Sequence, residues 1–128
     1  MKIRTATAND LEQVLTLYEG LAGPWPLPTG DVALQKWHEI LAHQGTQVIG
    51  VEEDNILIAI ATLHILPNMT FSGKPYALVE NVVVAENKQG RGIGKKLMQS
   101  VVDKAWAADA YKIMLLTGKT NGAKRFYA

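Results

Sequence analysis

The 128-residue chain is 48% hydrophobic and nearly balanced in charge, with 13 basic and 12 acidic residues. A chain of this length buries one core of ordinary size, so we expect a single domain over residues 1–128. A formal charge of +1 provides no field for nucleic acid or an anionic membrane surface, and the absence of cysteine excludes a disulfide framework and a thiolate nucleophile.

The front half of the chain has the pattern of one strand followed by two helices. Residues 2–6 alternate weakly, and residues 7–10 offer capping oxygens for a first helix. The apolar positions of that helix fall at helical spacing: Leu11, Val14, Leu15, Tyr18 and Leu21. A loop with three prolines covers residues 23–30, and Asp31 is a candidate cap for a second helix that stops near Gly45.

From Thr46 the period changes to that of β-structure. The pattern predicts strands at residues 47–52, 56–66 and 76–84, with a tight turn between the first two. After a glycine-rich turn, it predicts an amphipathic helix over residues 93–108, a strand at 112–116 and the start of a helix at 122–128. The order β-α-α-β-β-β-α-β-(α) predicts an α/β fold with a mixed sheet, antiparallel in front with one βαβ crossover at the back.

The glycine-rich turn lies between a buried strand and a helix start, where unpaired amides and the helix dipole favour an anion. Its residues are Gln89, Gly90, Arg91, Gly92, Ile93 and Gly94. A phosphate loop of nucleoside triphosphatases requires four residues between its first glycine and a Gly-Lys pair, whereas only three separate Gly90 from Gly94. A dinucleotide motif also fails, because its third glycine would fall one position early.

The pattern formed by Gln89, Gly92 and Gly94 resembles the pyrophosphate-binding signature of the GNAT superfamily of N-acetyltransferases. The resemblance extends over residues 80–97, and residues 112–116 and 123–127 look like the superfamily's next strand and its following helix with a Phe-Tyr pair. It implies the GNAT-type acyl-CoA N-acyltransferase fold, acetyl-coenzyme A as cofactor, and a primary amine of a small molecule or peptide as acceptor.

Carried over to this chain, the resemblance assigns cofactor contacts to the strand and to the turn. It implies that backbone groups of the run Val82, Val83 and Val84 contact the pantetheine arm. The amides from Gln89 to Lys95 would hold the pyrophosphate, with added charge from Arg91 or Lys95. Asn121 lies one position nearer the Phe-Tyr pair than the asparagine of relatives, which leaves its cofactor contact open.

Glu80 and Tyr127 are the candidate catalytic residues that the resemblance implies. Strand alternation predicts the Glu80 side chain on the same face as Val82, and a carboxylate entering a buried strand needs a partner or a task. Glu80 resembles the family's glutamate that takes the amine proton; the alternative is an ion pair at a strand end. Tyr127 matches the tyrosine that protonates the leaving thiolate, and its alternative role is packing.

The acceptor pocket is expected at the two N-terminal helices, with Trp25, Leu27 and Trp37 as candidate lining residues beside Glu80, although both tryptophans also suit a core. Relatives continue for two more strands beyond Ala128, so we expect a homodimer to cover the exposed sheet edge. A coenzyme A-binding module without activity, or a truncated interaction domain, are the alternatives.

Partners and location follow from the remaining observations. No apolar run reaches the roughly 18 residues of a membrane span, and no secretory signal begins the chain, so we expect a cytoplasmic protein without nucleic-acid or membrane partners. The histidines His38, His43 and His64 lack the spacing of a metal site, and none is predicted; His64 is expected to be a packed core or edge residue.

Overall fold

The computed structural model describes residues 1–115. Over this range the chain forms a mixed sheet of five strands and three α-helices, and the elements follow one another as the sequence predicts. The strands are β1 (Lys2–Thr5), β2 (Thr46–Glu53), β3 (Ile56–Leu66), β4 (Tyr76–Val84) and β5 (Ile113–Leu115). The helices are α1 (Leu11–Ala22), α2 (Gly30–Ala42) and α3 (Ile93–Ala107).

The sheet confirms the predicted mixed topology. Its strand order is β1-β2-β3-β4-β5, with antiparallel pairing from β1 to β4 and parallel pairing between β4 and β5. The strands predicted at residues 56–66 and 76–84 have the observed limits. The reason is that their apolar runs end at turn-forming residues on both sides.

The two faces of the sheet carry two hydrophobic cores. Helix α3 buries Ile93, Leu97 and Val101 with inward residues of β2, β3 and β4. On the opposite face, Val14 of α1 and Trp37 of α2 belong to a second core on the sheet. Because the helices cover both faces, each strand of the sheet centre is apolar on both sides.

A capping box fixes the entry into α1. The Asp10 carboxylate accepts hydrogen bonds from the Thr7 amide at 2.7 Å and from the Arg4 guanidinium at 2.8 and 2.9 Å. The Arg4 bond lowers the pKa of Asp10 most, against the opposing effect of burial. Arg4 also donates to Glu52 of β2, so one guanidinium links the edge strand, its neighbour and the start of α1.

The limits of α2 differ from the prediction at both ends. Thr29 is the N-cap, so Asp31 lies in the first turn instead of capping the helix. The helix ends at Ala42, because His43 is already extended, with φ −72° and ψ 122°. Gly45, at φ +86°, turns the chain, and its carbonyl accepts a 2.7 Å hydrogen bond from the Ile65 amide. A Cβ at Gly45 would lie 2.7 Å from the Ile65 carbonyl oxygen, so this turn requires glycine.

Candidate functional site

The glycine-rich turn joins β4 to α3 and requires glycine at two positions. Gly90 has φ +81° and Gly92 has φ +76°, both left-handed, and apart from adjacent residues no described heavy atom lies within 4 Å of the Cβ position of either. The first α3 hydrogen bond runs from the Lys96 amide to the Gly92 carbonyl at 3.2 Å. The amides of Ile93, Gly94 and Lys95 therefore precede the helical ladder and have no intrahelical acceptor. This geometry suits a phosphate group at the positive end of the helix dipole.

Side chains fasten the turn to the sheet. Gln89 Nε2 donates to the Val84 carbonyl over 3.2 Å, which closes the turn onto the end of β4. The Glu53 carboxylate, at the end of β2, accepts bonds from Lys88 at 3.0 Å and from Arg91 at 3.1 and 2.9 Å. Arg91, followed by Lys88, lowers the pKa of Glu53 to about 2. The positive charge of Arg91, which was expected to face the cofactor pyrophosphate, is thus shared with the Glu53 carboxylate.

A β-bulge interrupts β4 at Asn81. Ile60 pairs with Val83 and Thr62 pairs with Glu80, so Ala61 alone stands opposite both Asn81 and Val82. Asn81 has φ +53°, a left-handed conformation that asparagine tolerates better than most residues. A bulge leaves its extra residue out of the ladder and bends the strand.

The bulge shows that the predicted orientation of Glu80 is wrong. Val79 and Val82 both belong to the core under α3. Glu80 pairs with Thr62, which hydrogen-bonds Tyr18 of α1, so Glu80 lies on the α1–α2 face. Strict alternation would keep Glu80 and Val82 together, but the extra residue at Asn81 reverses the faces. The half-buried Glu80 is therefore directed toward the side where an acceptor was expected.

The run of valines after the bulge has alternating faces. The side chains of Val82 and Val84 are buried under α3, whereas Val83 packs against the core on the α1–α2 face. The Ala85 amide donates to the Ile58 carbonyl of β3 at 2.8 Å, so by alternation the Val84 amide points away from β3. Within residues 1–115, the ladder between β4 and β5 covers only Ala77 to Val79. The Val84 amide thus faces the side of β4 beyond that ladder.

Tyr18 and Thr62 form a polar contact beside Glu80. The Thr62 side chain is buried, and its hydroxyl hydrogen-bonds the Tyr18 hydroxyl. Burial raises the pKa of Tyr18, and the bond to Thr62 acts in the opposite direction. The phenol thus remains neutral at physiological pH. The sequence placed Tyr18 only in the apolar stripe of a helix.

A cavity of about 300 Å³ lies between α1 and α2 and reaches the bulge. It is lined by Leu11, Val14, Leu15, Tyr18, Leu21, Ala22, Leu27, Pro28, Ala33, Lys36, Trp37, Ile40 and Asn81. Two of the three candidate acceptor residues, Leu27 and Trp37, line it. Trp25 does not, and it is 79% exposed because the Pro-rich loop turns its side chain outward. Trp37 is also a core residue, held by its Nε1 bond to the Thr7 carbonyl at 3.1 Å.

Sequence reasoning missed several residues of this site. Glu53 is 38 positions from Arg91, and no local pattern connects them. Asn81 gave no sign of a bulge, since Asn also occurs in ordinary strands, and Thr62 is one polar residue in an apolar run.

His64 lies on β3 inside the sheet, half-buried, with its Nδ1 2.9 Å from the Thr46 hydroxyl. The edge alternative for His64 is therefore wrong.

Two of the predicted site residues fall outside the described part of the chain. Asn121 and Tyr127 lie outside residues 1–115. Within that range, no three His, Asp or Glu side chains are grouped to hold a metal ion. The helices of the same range are also too short or too polar to cross a membrane.

Comparison with known proteins agrees with this geometry. Residues 10–128 match the model of the Acetyltransferase (GNAT) family. A structure from Agrobacterium tumefaciens str. C58, assigned as an acetyltransferase, is 37% identical with a TM-score of 0.91, covering 99% of this chain and 89% of the other. A transcriptional regulator from Bacillus halodurans C-125 is 26% identical with a TM-score of 0.84, covering 98% and 88%.

A third structure shows the fold alone. Glucosamine-6-phosphate N-acetyltransferase from Arabidopsis thaliana is 21% identical with a TM-score of 0.80, covering 98% of this chain and 86% of the other. The search of curated proteins gave no match.

Proposed function

Because the chain belongs to the GNAT acetyltransferase family, we propose that it transfers an acetyl group from acetyl-coenzyme A to a primary amine of a small molecule or peptide. The observation that carries the proposal is the continuity of β4. One strand holds the bulge that turns Glu80 toward the α1–α2 face, where its neighbour Asn81 lines the cavity. The same strand leads into a glycine turn whose amides lie outside the helical ladder. This arrangement supports an acceptor site and an anion site on the same strand.

The residues fit the cofactor. Left-handed glycines with open space above them let a pyrophosphate approach the backbone, and the amides of Ile93, Gly94 and Lys95 are available to donate. The amide of Val84 faces away from β3 and suits the pantetheine arm. When bound, acetyl-coenzyme A supplies the activated acetyl thioester. Gln89 contributes indirectly, since it holds the turn against β4.

Proton transfer falls to Glu80 in this proposal. An ammonium must lose a proton before its nitrogen attacks a thioester carbonyl, and a carboxylate at the acceptor side accepts that proton directly or through one water. Glu80 lies opposite Thr62 and next to Asn81, which lines the cavity, so it stands at the amine's end of the site. We propose Tyr127 as the acid that protonates the leaving thiolate and Asn121 as a cofactor contact, on the family resemblance alone.

The proposal also includes the domain organisation and the oligomeric state of the protein. We take residues 1–128 as one acetyltransferase domain, because the family match spans residues 10–128 and both cores share one sheet. A cytoplasmic homodimer remains the expectation for its state. A sedimentation run that shows only monomer at micromolar concentration would remove the dimer from the proposal.

Two measurements test the function. Calorimetry with coenzyme A should show binding, and no binding at millimolar cofactor would overturn the proposal. Thiol release from acetyl-coenzyme A should then depend on added amine. Binding without release across a panel of amines would identify a coenzyme A-binding module without activity.

A further inference from the structure

The chemistry of the α1–α2 cavity restricts the acceptor. Its lining is mostly hydrocarbon from both helices and from the loop between them, including Val14, Ala33, Trp37 and Leu27. At about 300 Å³, the cavity is at the small end of ligand sites, which span roughly 300–1,000 Å³. A ligand held here therefore has a compact apolar body, because hydroxyl groups placed against this lining would lose water without gaining a partner.

The charged groups at the cavity disfavour a ligand that carries a second positive charge. Lys36 is the one charged side chain in the described lining, and no Asp or Glu is part of it. Lys36 pairs with Glu39 on the exposed helix surface, with 3.5 Å between Nζ and Oε2. A diamine or polyamine would place its second ammonium in an apolar space bordered by a lysine, without a carboxylate to pair it.

The polar groups are concentrated at the end of the cavity that meets the sheet. Asn81 belongs to the lining, and Tyr18 lines the cavity while bonding Thr62. Thr62 pairs with Glu80 across β3 and β4. An amine is accordingly favoured at this end, with its carbon skeleton extending between the helices.

We propose that the acceptor is a primary amine with a single positive charge on a compact apolar body, of the arylalkyl or alkyl class. Diamines, polyamines and amino sugars are poor substrates. The proposal rests on the acetyl transfer proposed above for the same site, and it adds the substrate class. The walls between α1 and α2 provide the selectivity, whereas Asn81 and its neighbours on β4 receive the amine.

A homologous series of amines tests the proposal directly. With acetyl-coenzyme A saturating, kcat/KM should rise from ethylamine to pentylamine by roughly two- to fourfold per methylene, the effect of burying one CH₂ group. The kcat/KM for 2-phenylethylamine should exceed the values for cadaverine and glucosamine by at least tenfold. A flat series, or a preference for cadaverine or glucosamine, would overturn the proposal.

A cavity-filling variant locates the selectivity. Ala33→Leu adds three carbon atoms at a buried lining position, and it should lower kcat/KM for 2-phenylethylamine about tenfold while ethylamine changes less than twofold. Val32→Leu is the matched control, since Val32 is 57% exposed on the same helix. If circular dichroism shows that Ala33→Leu is unfolded, Leu27→Phe in the loop replaces it with the same expected result. An equal loss of kcat/KM for 2-phenylethylamine and ethylamine would contradict the assignment of this cavity as the acceptor site.

Calorimetry with coenzyme A distinguishes the two possible failures. If the wild-type protein binds coenzyme A and acetylates amines but prefers polar ones, only the substrate class is wrong. If it does not bind coenzyme A, the acetyl transfer itself is wrong, whatever the amine series shows. The Ala33→Leu variant should keep its coenzyme A affinity, because Ala33 lies on α2 and the glycine turn lies on the segment between β4 and α3.

Discussion

Arg91 donates two hydrogen bonds to the carboxylate of Glu53, over 3.1 and 2.9 Å, and so ties the glycine turn to the end of β2. Lys88 shares the same carboxylate. Arg91, one of the two cations expected at the phosphate site, is thus partly neutralised before any cofactor binds. The contact orders the turn and reduces the charge that Arg91 offers to a phosphate.

This cluster should make stability depend on pH in an acidic window. The pKa of Glu53 falls from 4.5 to about 2 in the folded protein. A lowered folded-state pKa stabilises the fold above the unfolded value, and that contribution disappears as the pH falls from about 4.5 to about 2. Urea unfolding should therefore show Glu53→Gln less stable than wild type at pH 7, with the difference shrinking over this window. Glu19→Gln, at an exposed position of α1, is the control, and an equal pH profile for both variants would contradict the prediction.

Because Glu53 partly neutralises Arg91, Lys95 and Arg91 should contribute unequally to coenzyme A affinity. Lys95 is exposed in the first turn of α3 and forms no ion pair with the described residues, whereas Arg91 is paired with Glu53. We expect Lys95→Gln to raise the Kd for coenzyme A about fivefold, on the order of 1 kcal/mol, and Arg91→Gln to raise it less. Calorimetry at low and high salt measures both. A larger effect at Arg91 would mean that the cofactor displaces Glu53.

Glu80→Gln should slow the reaction most where the amine is protonated. We expect kcat/KM to fall about a hundredfold near pH 7 and less near pH 10, where the acceptor amine is already neutral. Coenzyme A affinity should not change. Glu86→Gln, an exposed glutamate just after β4, is the matched control. A pH–rate profile of unchanged shape in Glu80→Gln would exclude Glu80 as the base.

The Tyr18–Thr62 bond should be measurable as a coupling energy. Tyr18→Phe leaves the buried Thr62 hydroxyl without this partner, so we expect a loss of about 1 kcal/mol in the free energy of unfolding. In a double-mutant cycle with Thr62→Val, the coupling should be about 1 kcal/mol. Additive losses in urea unfolding would show that the two hydroxyls do not interact.

Two glycine substitutions should change stability in opposite directions. Gly20 is inside α1, where the nearest atom to an added Cβ is Val83 Cγ2 at 3.8 Å, an ordinary contact. Gly20→Ala should therefore stabilise the protein by about 1 kcal/mol. Gly45→Ala should destabilise it, because its Cβ would meet the Ile65 carbonyl and its φ is positive. Thermal unfolding of both variants measures the direction of each change in Tm. A lower Tm for Gly20→Ala would contradict the conclusion that α1 has room for a Cβ at position 20.

Most of the fold could be predicted from local patterns. The long apolar runs of β3 and β4 and the helical stripe of α3 each carry their period within one segment, so their limits were close to those observed. The limits differed at α2, where the cap is Thr29 and the helix ends at Ala42, ahead of the Gly45 turn that bonds to β3. A contact between distant segments leaves no trace in a local period.

Local sequence patterns were sufficient to predict the element order, the α/β class and the glycine turn, because hydrophobic period and backbone freedom are properties of neighbouring residues. The folded chain was needed to reveal the bulge at Asn81, the face of Glu80 and the pairing of Glu53 with Arg91. These depend on strand register and on residues far apart in the chain, and a single extra residue in β4 reverses the face of the sheet on which Glu80 lies.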